Sequence, residues 1–191
     1  MSTVSDARVV RTRDALREAM TALAAESPLE AITVRAIAAR AGVGYATFFR
    51  HYGDKDALLA DVADKLTRDL LLQVRPMLMA SDRLAAARSL CDFVIDHLAI
   101  CKALIAGGSG DTVRAEMLRQ SMATVAQVRR HAAEGVLDDL VLFHVVSATL
   151  NLLAWWLRHM DEVDAGAMAE IIERTVLTPA GALRRQPPGS L

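Results

Sequence analysis

Apolar positions recur at three- and four-residue intervals along most of the chain, which predicts one helix after another and no strand. Leu16, Ala19, Met20 and Leu23 make one stripe, ended by Ser27-Pro28. Val34, Ile37, Ala38 and Ala41 make a second, and Phe48 and Tyr52, four apart, a third. A long helix from Asp54 towards Val74 carries Leu58, Leu59, Val62, Leu66 and Leu70, with Pro76 expected to stop or kink it. Ser81-Asp82 should open a helix whose stripe is Leu84, Ala87, Cys91, Val94, Ile95, Leu98 and Ile105. Gly107 to Gly110 reads as a loop, and helices over about 111–131 and 165–178 follow, the last ended by Pro179. Residues 1–7 and the tail from Arg184 lack this periodicity and read as loose.

The punctuation is sharpest over residues 32–59. Thr33 can cap the first free N–H groups of a helix, and Ile32 and Ile37 sit where a hydrophobic staple needs them. Gly42 can take the positive φ of a tight turn between helices. A second short helix follows at about Gly44 to Tyr52, and Asp54-Lys55-Asp56 suits the positive end of a third. Two short helices joined by a glycine turn form a helix-turn-helix, whose second helix enters the major groove of DNA.

Net charge is −1 over 191 residues, so the chain is no general polycation. Residues 33–55 nevertheless hold four Lys/Arg against Asp54 alone, a local +3 that suits a phosphate backbone. Three further arginines, Arg8, Arg11 and Arg13, would stand at a helix start, where they oppose the dipole and could serve phosphates. Cys91 and Cys101, ten residues apart on one expected helix, would lie about 15 Å apart, too far for a disulfide. They read as free buried thiols in a reducing cytoplasm. The start of the chain has no charged-then-apolar leader.

Leu140 to Leu157 is an eighteen-residue run without formal charge, the lower limit for a membrane span. His144, Ser147 and Asn151 share one face of it, extended by Trp155 and Arg158, and a lone span would put them in lipid without partners. The expectation is instead a helix buried on all sides, with that polar stripe facing a cavity. Metal and nucleophile readings fall away. His97 and Cys101 are two ligands where three or four are needed, and Gly107-Gly108-Ser109-Gly110-Asp111 lacks the order of a nucleophile elbow.

The string Thr33-Val34-x-x-Ile37-Ala38-x-x-Ala41-Gly42-Val43, then Ala46-Thr47-Phe48-Phe49-Arg50-His51-Tyr52, then Asp54-Lys55-Asp56-x-Leu58-Leu59 resembles the TetR family of bacterial transcriptional regulators. The likeness runs over roughly residues 8–60; beyond them it is one of length and helix pattern. It implies an all-α chain, with a three-helix DNA-binding domain at 8–54, a helical ligand-binding and dimerisation domain at 55–181, and a loose tail at 182–191. It implies a homodimer on a pseudo-palindromic operator, repressor by default, released by a small effector, with no cofactor, no membrane and no enzyme activity. Carried over residue by residue, Thr33, Thr47, His51 and Lys55 should hold phosphates, and Tyr45 and Ala46 should lie near base edges. Arg35, Gly44, Phe49 and Arg50 complete the expected DNA-facing set. Phe49 stands where the family usually has Tyr, and Gly44 where a Ser or Thr cap is common.

The effector pocket is expected among Phe93, His97, Cys101, Met117, His144, Ser147, Asn151 and Trp155, a mostly apolar set suited to a small hydrophobic ligand. The dimer is expected on Val146, Leu153, Trp156, Met168, Ile171, Ile172 and Val176, so that Ile172→Asp would give monomers. The alternative from another class is a helical small-molecule-binding protein or enzyme that no longer binds DNA.

Overall fold

Among the described residues the apolar stripes lie on helices in the computed structural model, which describes residues 3–79, 82–106, 119, 122–123 and 136–183. The N-terminal unit comprises α1 (Thr3–Glu26), α2 (Val34–Arg40) and α3 (Tyr45–His51), with one 3-10 turn at Leu29–Ala31 between the first two. The long α4 (Lys55–Met79) leads to α5 (Arg83–Asp96), α6 (Leu98–Cys101) and a π-helical turn at Lys102–Ala106. After these come α7 (Val136–Trp156), α8 (Ala165–Ile172), a second π-helical turn at Glu173–Leu177 and α9 (Thr178–Leu183). The described residues contain no strand. The fold is all-α, an N-terminal helix-turn-helix domain joined to a C-terminal helical domain.

The local signals act as their chemistry requires. Thr33 Oγ1 accepts the N–H of Ala36, Asp54 Oδ1 that of Ala57, Asp82 Oδ1 that of Ala85 and Asp164 Oδ1 that of Ala167. Each satisfies one orphan donor of a helix start. Ile32 and Ile37 are both buried, as a staple demands. Gly42 has φ 66°, with its N–H bonded to Ala39 and that of Val43 to Ala38, the two bonds of a Schellman ending.

Several boundaries differ from expectation. Residues 3–7 belong to α1, since extending an existing helix costs little once it is nucleated. Arg8, Arg11 and Arg13 therefore lie inside that helix, not at its start. Pro76 does not stop α4, which runs on to Met79; so near the helix end it removes one backbone bond, from a turn whose Leu72 is 70% exposed. Pro179 does not end the helical run either: residues 165–183 stay helical, and the proline follows directly on the π-helical turn Glu173–Leu177. Ala182 and Leu183 belong to that helix, so the loose tail does not begin at 182.

The helix expected through Cys101 breaks at His97, whose backbone leaves the helical region at φ −114°, ψ 29°. Its ring stacks on Phe93 at 4.2 Å while Nδ1 pairs with the Phe93 carbonyl at 2.9 Å, holding the bend. Cys91 and Cys101 thus occupy different helices. Both are free and buried, and burial pushes each thiol up to about 12. Ile95, assigned to the core stripe, is 42% exposed. Of the helix expected over 111–131 only residues 119, 122 and 123 are described, each of them helical; the glycine loop and Met117 lie outside the described residues.

One continuous core runs from Leu16, Met20, Ile37 and Phe48 through Leu58 and Val62 to Cys91, Ile100, Trp156 and Ile172. Within it α1 packs on α2, α4 and α6, while α5 packs on α4 and α8. The N-terminal helices are therefore in direct contact with the C-terminal domain, not merely tethered to it.

Candidate nucleic-acid interface

The second helix of the helix-turn-helix has two sides with different work. Phe48 is fully buried and Tyr52 nearly so, which anchors α3 to the core. Tyr45, Ala46, Phe49 and Arg50 face outward. Tyr45 is 53% and Phe49 45% exposed, with ring centroids 5.1 Å apart edge to face. Arg35, from α2, lies over the Tyr45 ring at 6.0 Å. Arg50 Nη2 donates to Thr47 Oγ1 at 2.8 Å. The structure thus brings Arg35, Tyr45, Ala46, Thr47, Phe49 and Arg50 onto one surface. Gly44 caps α3 without a side-chain bond, as its residue type dictates.

Thr33 and Lys55 already have partners within the chain. Thr33 accepts from Ala36 and keeps its hydroxyl proton for another acceptor. Lys55 Nζ donates to the carbonyls of Leu29 at 2.6 Å and Ile32 at 3.2 Å, pinning the α1–α2 connection. Spacing alone showed only its charge. Lys55→Ala should accordingly lower folding stability by about 1.5–3 kcal/mol, read as a shift in thermal midpoint, because two carbonyls lose a charged donor. His51 is half-buried and its imidazolium is disfavoured, first by burial and then by the charges of Arg50 and Arg13.

A group not singled out from sequence locks this surface in place. Asp61, on α4, accepts from Arg17 Nη1 at 2.6 Å and pairs with Arg13 Nη2 at 2.9 Å. The hydroxyl of Tyr52, at the end of α3, also donates to Asp61 and accepts from Arg13 Nε at 3.3 Å. Arg17 pairs with Asp14 as well. Burial alone would raise the Asp61 carboxyl, but bonds from Tyr52 and Arg17 and the nearby guanidinium charges hold it below its usual range. Burial and the bond to Asp61 raise the Tyr52 phenol. Three helices converge on one carboxylate. A charged residue on the inner stripe of α4, three after Leu58, was the available signal.

Residues 16–62 match the family model of bacterial regulatory proteins, tetR family. This N-terminal domain belongs to the TetR family. The remaining chain follows the fold of TetR-family structures. A TetR transcriptional regulator from Streptococcus agalactiae 2603V superposes with a TM-score of 0.64 at 19% identity, over 92% of this chain and 99% of that one. A tetR-family regulator from Streptomyces coelicolor gives 0.62 at 15%, over 93% of both chains. The fatty acid degradation regulator FadR from Bacillus halodurans gives 0.58 at 18%, over 92% and 97%. No curated protein sequence matches the chain.

In the C-terminal domain the expected site residues fall differently. Leu153, Trp156, Met168, Ile172 and Val176, expected at a dimer face, are at most 3% exposed within the single chain. Within the single chain they form part of its own core. Helical periodicity marks an apolar face without saying which molecule covers it. Val146 is half-buried and Ile171 exposed. The helix α7, expected buried all round, exposes Leu140, Phe143, His144, Asn151 and Trp155 along one side. Ser147 lies on that side, with its Oγ buried and unpartnered among the described residues.

The expected pocket residues accordingly separate. Phe93 and Cys101 are buried and His97 half-buried, whereas His144, Asn151 and Trp155 face outward. Trp155 stacks on His159 at 4.1 Å. Among the described residues no helix is long and apolar enough to cross a membrane, and no group of three or more His, Cys, Asp or Glu could hold a metal.

Proposed function

We propose that the chain is a sequence-specific, ligand-responsive transcriptional regulator, a repressor that binds a pseudo-palindromic operator as a homodimer in the cytoplasm. The observation that carries this reading is the two-sided α3, anchored by Phe48 and Tyr52 and presenting Tyr45, Ala46, Phe49 and Arg50 outward. Tyr45 and Ala46 then meet base edges, while Thr33, Arg35, Thr47, Arg50 and His51 hold phosphates, with the remaining Lys55 N–H beside them. Residues 8–54 serve as the reading head and the helices from 55 onward as the dimerising and ligand-binding part.

The dimer forms on the exposed side of α7 with Ile171. Leu140, Phe143 and Trp155 are large apolar groups left in water by the single chain, and the orphaned Ser147 hydroxyl stands among them. A small hydrophobic effector binds beside Phe93, His97 and Cys101, next to the bend at His97. It lowers operator affinity by preferring the non-binding conformation.

Selection of bound sequences from randomised duplexes with the full chain tests the reading, followed by a salt titration. Enrichment of a two-fold symmetric site, with affinity falling steeply as salt rises, is the expected result. Failure to enrich any sequence would remove DNA binding from the account. Affinity for the selected site should also rise as pH falls below about 6.5, because His51 gains charge only there. His51→Gln should flatten that rise, and an unchanged pH profile would take His51 out of the phosphate set.

A further inference from the structure

The exposed side of α3 is unusual in what it lacks. Reading bases by paired hydrogen bonds needs forked side chains such as Arg, Asn or Gln. Among the outward residues of α3 only Arg50 carries such a fork, and its Nη2 is bonded to Thr47 in the same helix. The rest of that side is mostly carbon: the Tyr45 and Phe49 rings and the Ala46 methyl, with the single phenol hydroxyl of Tyr45 as its polar group. The rings are held before any partner arrives, packed against one another at 5.1 Å, with Phe49 also backed by the buried Phe48 at 5.3 Å. Flanking positive charge from Arg35, 6.0 Å from the Tyr45 ring, draws the same surface to a polyanion.

The major groove offers one apolar group on its base edges, the 5-methyl of thymine. We infer that Tyr45, Ala46 and Phe49 select operator half-sites by covering thymine methyl groups rather than by paired hydrogen bonds. This rests on the DNA-binding reading above and specifies what that surface recognises. Four residues of helix advance about 6 Å, close to two base steps, so Tyr45 and Phe49 reach methyls within about two steps of each other. Rings left nearly half exposed in the free chain regain apolar contact only when such methyls cover them.

The test uses the full chain and synthetic duplexes of the sequence enriched from a random pool. Each thymidine of a half-site is replaced in turn by deoxyuridine, which removes the methyl and keeps every hydrogen-bonding group. Affinity should fall about four-fold at one or two thymines per half-site, the equivalent of one buried carbon group. Phe49→Ala and Tyr45→Ala should each erase the difference between thymidine and deoxyuridine at one position, with circular dichroism unchanged since both side chains are outward. Phe49→Tyr keeps the ring and should keep the difference. A bound sequence on which every deoxyuridine substitution is neutral would overturn the inference while leaving DNA binding intact. Persistence of the methyl effect in both alanine variants would overturn it too. No enriched sequence at all would remove the DNA-binding reading and this inference with it.

Discussion

Ile172→Asp should unfold the C-terminal half of the chain instead of separating two copies. Ile172 is 0% exposed, in a core shared with Trp156 and Met168. The change removes a buried aliphatic group, worth roughly 1.5–3 kcal/mol, and leaves an unpaired carboxylate in its place, which costs several more. Set against a total stability of about 5–15 kcal/mol, most of the fold is at stake. Loss of the cooperative thermal transition in circular dichroism is the expected observation. Ile171→Asp combined with Trp155→Asp is the contrasting variant, since those positions are 37% and 41% exposed. It should keep the wild-type melting profile and sediment at half the mass, with operator affinity reduced because each half-site is held alone. A folded, monomeric Ile172→Asp would return that residue to the dimer face and refute the placement given above.

The second large effect belongs to Asp61→Ala. Arg17 and Asp61 side chains are only 16% and 13% exposed, and removing the carboxylate leaves Arg17 with Asp14 alone and Arg13 and the Tyr52 hydroxyl with only each other. Breaking a fully buried pair costs about 3–5 kcal/mol; because Arg13 stays 43% exposed and can recruit water, about 2–4 kcal/mol is expected here. Operator affinity should fall even where the variant remains folded, since Tyr52 ends α3 and its hydroxyl is held by Asp61. The pH dependence follows from the lowered Asp61 carboxyl. Its stabilisation is fully present above the unfolded value of about 3.9 and is lost as pH falls through the lower folded value. Asp61→Asn should remove that acid-side loss. A wild type and an Asp61→Asn variant with parallel stability curves below pH 4 would deny the network its role.

The N-terminal domain was legible because its signals are local. A Thr33 cap, an Ile32–Ile37 staple, a positive-φ Gly42 and an Asp54 cap each act within a few residues, so sequence order alone contains the interaction. The same reach failed wherever a residue's role depends on a distant element. Lys55 read as a free cation, but its ammonium is bonded to carbonyls more than twenty residues earlier. Asp61 was not singled out from the sequence, and it is where α1, α3 and α4 meet.

The C-terminal domain shows the limit most clearly. Its sequence determined that α7 and α8 are helices and that they carry wide apolar faces. Which side of α7 turns inward was decided by tertiary packing alone, and it reversed the expected roles. Trp156 went to the core, where its indole N–H reaches the Val163 carbonyl at 2.7 Å, while Trp155 and the stripe of His144 and Asn151 turned outward. Adjacent residues on a helix point about 100° apart, so the sequence fixes their separation around the axis but not the helix's rotation against its neighbours. That rotation is set by how α7 packs on α8 and on the π-helical turns at Lys102–Ala106 and Glu173–Leu177, contacts between segments far apart in the chain.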